Sequence, residues 1–144
     1  LAKEGHTQWN PDLIYFNNRE VKPTTGYYVQ KLYGQNAGSE YLPSKIVLDN
    51  KDDKVRKRFA SSIVRDSASG DVIVKLVNLL PAEVNTNVDL SGIGAVQPSA
   101  KRTVLTGKPT DTPLPVEDRI QIAEKFDCNL PAYSFTVIRI QKAN

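Results

Sequence analysis

Between Val84 and Leu90 every second side chain is apolar or β-branched: Val84, Thr86, Val88 and Leu90 alternate with Asn85, Asn87 and Asp89. A period of two belongs to a strand with one face in a core and the other in water, and a helix cannot use it. Val72, Val74 and Leu76 repeat the stripe, as do Ile120 and Ile122, with Phe126 on the same parity. Phe135, Val137, Ile138 and Ile140 put apolar groups on both parities, which suits a strand covered on both faces or one carrying a bulge. Asp66-Ser67-Ala68-Ser69-Gly70-Asp71 is turn chemistry between Ile63-Val64 and Val72-Val74, so these runs are expected to form a hairpin. Six or seven short strands at roughly ten-residue spacing, broken by Gly, Pro and Asn, predict an antiparallel β-sandwich from about Glu40 to Asn144. Its interior should hold Val72, Val74, Leu76, Val88, Leu90, Ile122 and Val137. Pro109, Pro113 and Pro115 make Thr106 to Asp118 a long irregular loop.

The first quarter of the chain has another texture. Trp9, Tyr15, Phe16, Tyr27, Tyr28 and Tyr33 are six of the eleven aromatic residues. Lys22-Pro23-Thr24-Thr25 offers a helix start with Thr as cap. Tyr28, Val29, Leu32 and Tyr33 then fall on one helical face, and Gly34 and Gly38 are available to stop the helix. Leu13-Ile14-Tyr15-Phe16 is too short for period alone to separate strand from helix.

Composition narrows the function classes. The 144 residues fit one domain, or one domain with an appendage, and 24% charged with 40% hydrophobic residues is ordinary globular usage. The net charge of +3 is spread, so no nucleic-acid footprint is expected. The densest basic run, Lys51 to Arg58, contains two Asp and reads as a solvated loop and sheet edge. No uncharged run approaches the ~20 apolar residues of a membrane span. One Cys and one His cannot supply an intrachain disulfide or the usual three or four zinc ligands, and no cofactor is expected. Cys128 reads as a small buried hydrophobe. The chain starts at Leu1 and contains no Met, which reads as a processed or excised piece.

Chemistry is sparse. There is no Gly-rich phosphate loop and no nucleophile elbow, and His6 is the one histidine that a triad could use as base. Two carboxylates would suffice for glycoside hydrolysis. Yet Glu4, Glu20, Glu40, Glu83, Glu117, Glu124 and the ten Asp nearly all stand in polar loops or on wet strand faces, where nothing raises a pKa. The segment Gly5 to Asp12, GHTQWNPD, gathers His, Gln, Trp, Asn and Asp. A sugar site uses such groups, an aromatic face for the ring and amides or carboxylates for its hydroxyls. A turn whose Trp packs on a core and whose Asn-Pro-Asp closes the bend uses them too, and taken by themselves the residues favour that turn.

Trp9-Asn10-Pro11-Asp12-Leu13-Ile14-Tyr15-Phe16-Asn17-Asn18, followed by Tyr27-Tyr28-Val29-Gln30-Lys31-Leu32-Tyr33, resembles the end of the catalytic region of α-L-arabinofuranosidases of glycoside hydrolase family fifty-one, in the branch that includes plant enzymes. Asp71 to Asn78, Thr103 to Gly107 and Leu130 to Ile140 resemble successive strands of that family's C-terminal domain. The resemblance implies a (β/α)8 barrel joined to a jelly-roll β-sandwich, and retaining hydrolysis of terminal α-L-arabinofuranosyl residues by two Glu on barrel strands upstream of this segment. By the same comparison Leu1 to Glu4 ends the eighth barrel strand, and Gly5 to Asp12 is the loop after it. The helix near Thr24 to Gly34 is then the last of the barrel. The domains are expected as 1–38, the end of the barrel, and 39–144, the sandwich.

Loops after barrel strands line the active-site mouth, so the resemblance makes Trp9 a wall of the sugar site, with Asn10 and Asp12 both candidates for the ring contact. It implies as partners an arabinofuranosyl oligo- or polysaccharide, met through the parent enzyme, and the barrel itself, in a periplasmic or extracellular setting. This chain alone, without the two Glu, is expected to be inactive. The rival readings are a non-catalytic carbohydrate-binding module, which needs exposed aromatics on the sandwich, and a purely structural β-sandwich.

Overall fold

The computed structural model describes residues 13–16, 18–108, 111 and 113–143. The first element among the described residues is a hairpin of β1 (Ile14–Phe16) and β2 (Val21–Pro23), so the undecided run at Leu13 is extended. Helix α1 (Thr25–Gln35) follows, and Thr24 caps it as expected: its hydroxyl accepts from Tyr27 N and donates to Leu13 O, tying the helix start to the hairpin. The helix runs through Gly34 and stops at Asn36, whose side chain donates to Leu32 O at 2.9 Å. Gly38, at φ +69°, then passes so close to Val64 that a Cβ there would lie 2.5 Å from a methyl carbon.

Eight strands follow: β3 (Glu40–Leu42), β4 (Phe59–Arg65), β5 (Val72–Asn78), β6 (Val84–Asp89), β7 (Val96–Thr106), β8 (Val116–Gln121), β9 (Lys125–Leu130) and β10 (Ser134–Lys142). All pairings are antiparallel, in a six-stranded sheet of order β3-β4-β5-β10-β7-β8 and a two-stranded sheet β6-β9. The chain crosses between the sheets at β6 and again at β9, giving the antiparallel sandwich that the alternation predicts, in the jelly-roll-like form that the resemblance implies. The basic run at Lys51, expected as loop, contains a single helical turn, α2 (Asp53–Arg56), capped by Asp52. Ile120 and Ile122, with Phe126, belong to two successive strands and their connection rather than to one strand.

The core has two halves, one on each side of the large sheet. On one side Val72, Val74, Leu76, Ala100, Ile138 and Ile140 meet Val88, Leu90, Phe126, Cys128 and Leu130. On the other, Ile73, Val64, Leu105, Phe135 and Val137 meet Leu32 of α1, with Tyr28 and Val29 packed against them. All seven residues expected in the interior are buried. Strand β10 is covered on both faces and also carries a register shift between Ile140 and Lys142, so both readings of its double parity hold.

Tyr28, Val29 and Leu32 of α1 therefore lie on the sandwich. Tyr33 stacks on Phe135 at 4.8 Å between ring centroids. Beneath the helix end, the buried Lys75 of β5 donates from Nζ to Asn36 O at 2.7 Å and lies 5.3 Å from the Tyr33 ring centre. A cation suits a helix C-terminus, where unpaired carbonyls concentrate negative charge. Lys75→Met keeps the stem and loses that bond. Amide exchange in α1 should then accelerate while β5 and β10 keep their protection; unchanged exchange in α1 would show that apolar packing alone seats the helix.

Candidate functional site

Trp9, Asn10 and Asp12, the residues that the sequence puts forward for sugar contact, lie outside the described residues, as does His6. What the structure does place is the setting of the carboxylates further along the chain. Strand β7 sets Lys101, Arg102 and Thr103 opposite Arg119, Asp118 and Glu117 of β8. Arg102 grips Asp118 through both Nε and Nη2, and Lys101 reaches Glu117 at 2.9 Å. Each cation holds its partner's carboxyl below its ordinary pKa. Asp89 is lowered likewise, chiefly by the Ser91 hydroxyl and then by Lys125.

The nearest thing to a carboxylate pair sits at the β4–β5 turn. Asp66 and Asp71 flank the Arg139 guanidinium, with Nε to Asp71 Oδ2 at 2.6 Å and Nη2 to Asp66 Oδ2 at 2.8 Å. The guanidinium between them lowers the Asp66 pKa. A glycosidase acid needs the reverse, a carboxyl raised by burial or by an anionic neighbour. This cluster is built to hold the turn against β10.

Two further features bear on chemistry. Cys128 is buried in the core, and burial pushes its thiol pKa up, the opposite of an activated nucleophile. An open depression of about 710 Å³ is lined by Leu90, Gly92, Gly94, Val96, Gln97 and Glu124 among others, with Glu124 its one carboxylate. Among the described residues no group of three or more His, Cys, Asp or Glu could hold a metal ion. None of the described helices is long and apolar enough to cross a membrane.

Aromatic placement weighs on the carbohydrate-binding rival. From Glu40 onward Phe126 and Phe135 are buried, Phe59 and Tyr133 half-buried, and Tyr41 alone is well exposed, at 64%. One ring is not a platform. Sequence reasoning missed Lys75 and Arg139, the two cations that anchor α1 and the β4–β5 turn. Their signal was a lone charge in the runs Val72 to Val77 and Val137 to Ile140, each otherwise apolar on both parities.

Paired charges and a double-sided core define, over the described residues, an antiparallel β-sandwich. The family model described as the α-L-arabinofuranosidase C-terminal domain matches residues 6–136, and the chain belongs to that family. An extracellular exo-α-L-arabinofuranosidase of Streptomyces chartreusis is 49% identical over 45 residues, 31% of this chain and 6% of that protein. α-L-Arabinofuranosidase 1 of Arabidopsis thaliana is 28% identical across 94% of this chain and 21% of its own length. Among solved structures, the arabinose-bound α-L-arabinofuranosidase MgGH51 superposes with a TM-score of 0.81 at 28% identity, over 95% of this chain and 22% of that one. The arabinose complex of the Thermotoga maritima enzyme shares the fold at 12% identity, with a TM-score of 0.73 over 89% of this chain and 31% of that one. The chain thus spans about a fifth or less of the sequence relatives it matches.

The ion pairs fix how stability should respond to acid. Asp66, Asp89, Glu117 and Asp118 titrate lower in the fold than unfolded, so the contribution of their pairs is complete above about pH 5, begins to fall through the unfolded values and is lost as pH falls through the lowered ones. Thermal melts from pH 7 to pH 2 should show Tm dropping in that window. Asp66→Asn should flatten the drop, and a variant with an unaltered acid limb would remove Asp66 from the account.

Proposed function

We propose that this chain is the C-terminal portion of a retaining α-L-arabinofuranosidase that releases terminal α-L-arabinofuranosyl residues from arabinose-containing polysaccharides. The observation that carries the reading is the superposition of nearly the whole chain on a small part of an arabinose-bound enzyme of that name. The family match over residues 6–136 supports it. In this reading the domains divide near residue 38, and the sandwich braces a catalytic barrel. The two Glu of the retaining reaction, about 5 Å apart with one as nucleophile and one as acid/base, lie in that barrel upstream. The downward-shifted carboxylates of the sandwich are consistent with a non-catalytic share for this piece. The extracellular relative supports a periplasmic or extracellular parent.

The piece contributes one loop to the site, residues 5–12. Trp9 walls the arabinose pocket, and a ring hydroxyl hydrogen-bonds either Asn10, which can donate or accept, or Asp12, which as a carboxylate accepts. Such a contact accelerates the reaction only if it tightens as the ring flattens toward the oxocarbenium-like transition state.

The 144-residue chain by itself should release no arabinose from an aryl arabinofuranoside, whereas the intact parent should. Turnover by the isolated chain, abolished by replacing one of its own Glu, would overturn the assignment.

Alanine variants of Trp9, Asn10 and Asp12 in the parent test the loop. A lost neutral hydrogen bond costs about 0.5 to 1.5 kcal/mol, and one to a charged group about 1.5 to 3 kcal/mol. Asp12→Ala should therefore lower kcat/KM more than Asn10→Ala if Asp12 is the ionised contact; the reverse order moves the contact to Asn10. Full kcat/KM in all three variants would leave the loop as a turn and nothing more.

A further inference from the structure

Basic residues are spread along the chain, but their excess over acidic ones is not. Residues 45–58, in the connection from β3 to β4, hold six cations, Lys45, Lys51, Lys54, Arg56, Lys57 and Arg58, against three Asp, an excess that equals the net charge of +3 of the whole molecule. All six are exposed. At the β7–β8 border cations are answered by carboxylates, Lys101 by Glu117 and Arg102 by Asp118. Among the described residues none of these six makes such a pair. The Asp52 carboxylate is turned to the backbone instead, accepting from Lys54 N at 2.8 Å as the cap of α2.

The run is also held in place. Val55 is half-buried, Arg58 N returns to Val55 O, and Arg58 O accepts from Leu79 N at 2.8 Å, which fastens the turn to the end of β5. Lys54, Lys57 and Arg58 stand at i, i+3 and i+4, so they share one side of the turn. Like charges at that spacing repel, and the fold supplies no carboxylate to relieve them. A polyanion from outside would do so, and cations on a fixed turn lose less freedom on binding than cations on a loose tail.

Chemistry selects the polyanion. Single-stranded nucleic acid is held by stacking on aromatic rings, and residues 45–58 contain none. An anionic lipid surface takes a helix with a broad apolar face, whereas the exposed apolar groups here are Ile46 and Val47, at 45% and 75%, on irregular backbone. An acidic polysaccharide carries a carboxylate on each uronate ring and requires a row of solvated cations, Arg for a bidentate grip and Lys as a point charge. We propose that the Lys54–Lys57–Arg58 side of α2 is a binding surface for a polyuronate chain, the acidic backbone of a polysaccharide that bears arabinofuranosyl branches. The proposal rests on the substrate class argued under Proposed function and adds a second hold on that substrate, through charge rather than through the arabinose ring. Holding the backbone raises the effective concentration of its branches at the catalytic part.

The test uses polygalacturonate as the acidic polymer, with neutral arabinan, phosphatidylserine vesicles and single-stranded DNA beside it. In affinity electrophoresis at low salt, polygalacturonate should retard the 144-residue chain and arabinan should not, and the retardation should fade as salt rises. The triple variant Lys54→Gln, Lys57→Gln, Arg58→Gln should bind on the order of tenfold more weakly without loss of Tm. A control of the same charge, Lys31→Gln, Arg119→Gln, Lys142→Gln, alters exposed cations elsewhere and should weaken binding far less. In the intact parent the first triple variant should raise KM for an arabinosylated polyuronate at unchanged kcat, and leave hydrolysis of an aryl arabinofuranoside as it was. As great a loss in the control, an unretarded unsubstituted chain, or tighter binding to the vesicles or the DNA than to polygalacturonate would overturn the surface. A parent that binds polygalacturonate in the expected pattern yet releases no arabinose would sink the assigned activity and leave the surface intact.

Discussion

Strands β5 and β10 lie side by side in the middle of the large sheet, and neither face of either strand can tolerate water. Ile73 and Val74, and likewise Val137 and Ile138, point to opposite sides, and all four are essentially inaccessible. At about 25 cal/mol per Å² of apolar surface, exposing one whole face would forfeit several kcal/mol, a large part of the stability of a domain this size. Something must cover each side. The β6–β9 pair covers one and α1 the other, so the helix is a structural requirement of the sheet.

That requirement meets two charges. Lys75 and Arg139 both fall on the helix side, where an unpaired cation would be costly. Each is answered by a helix end or a turn: Lys75 by the carbonyl of Asn36 where α1 ends, Arg139 by Asp66 and Asp71 where β4 turns into β5. Asn78, wholly buried at the end of β5, performs the same service for the crossing loops, donating to Ala82 O and Pro131 O at 2.9 Å each. The polar groups of the interior thus fix where connections go, while the apolar groups supply the driving force.

The alternation of side chains was enough to read the strand-rich class and the core stripe from Val72 to Leu76, and turn and cap chemistry to read the hairpin at Asp66 to Asp71 and the Thr24 cap. Those are local patterns. The six-plus-two partition was not legible, because it depends on β10 pairing with β5 and with β7, partners far apart in sequence. Nor was the seat of α1, since Tyr28, Val29 and Leu32 announce an apolar face without saying what it meets. For the sugar contact, composition favoured a turn over a pocket for Trp9, Asn10 and Asp12. Only the family resemblance tilted them toward the pocket, and they fall outside the described residues.

The outermost strand of the large sheet, β8, carries Glu117, Asp118 and Arg119 in succession, and all three remain in water. A sheet edge is a template onto which a foreign strand can zip, and charges along it are the usual defence, since a newcomer would have to bury them. The salt bridges from Lys101 and Arg102 also hold Glu117 and Asp118 in their ionised form, so the barrier persists as conditions turn mildly acidic. The opposite edge, β3, is only three residues long. Both borders of the sheet are therefore poor seeds for fibrils. The large sheet is thereby guarded on both sides against the strand addition from which amyloid-type growth begins.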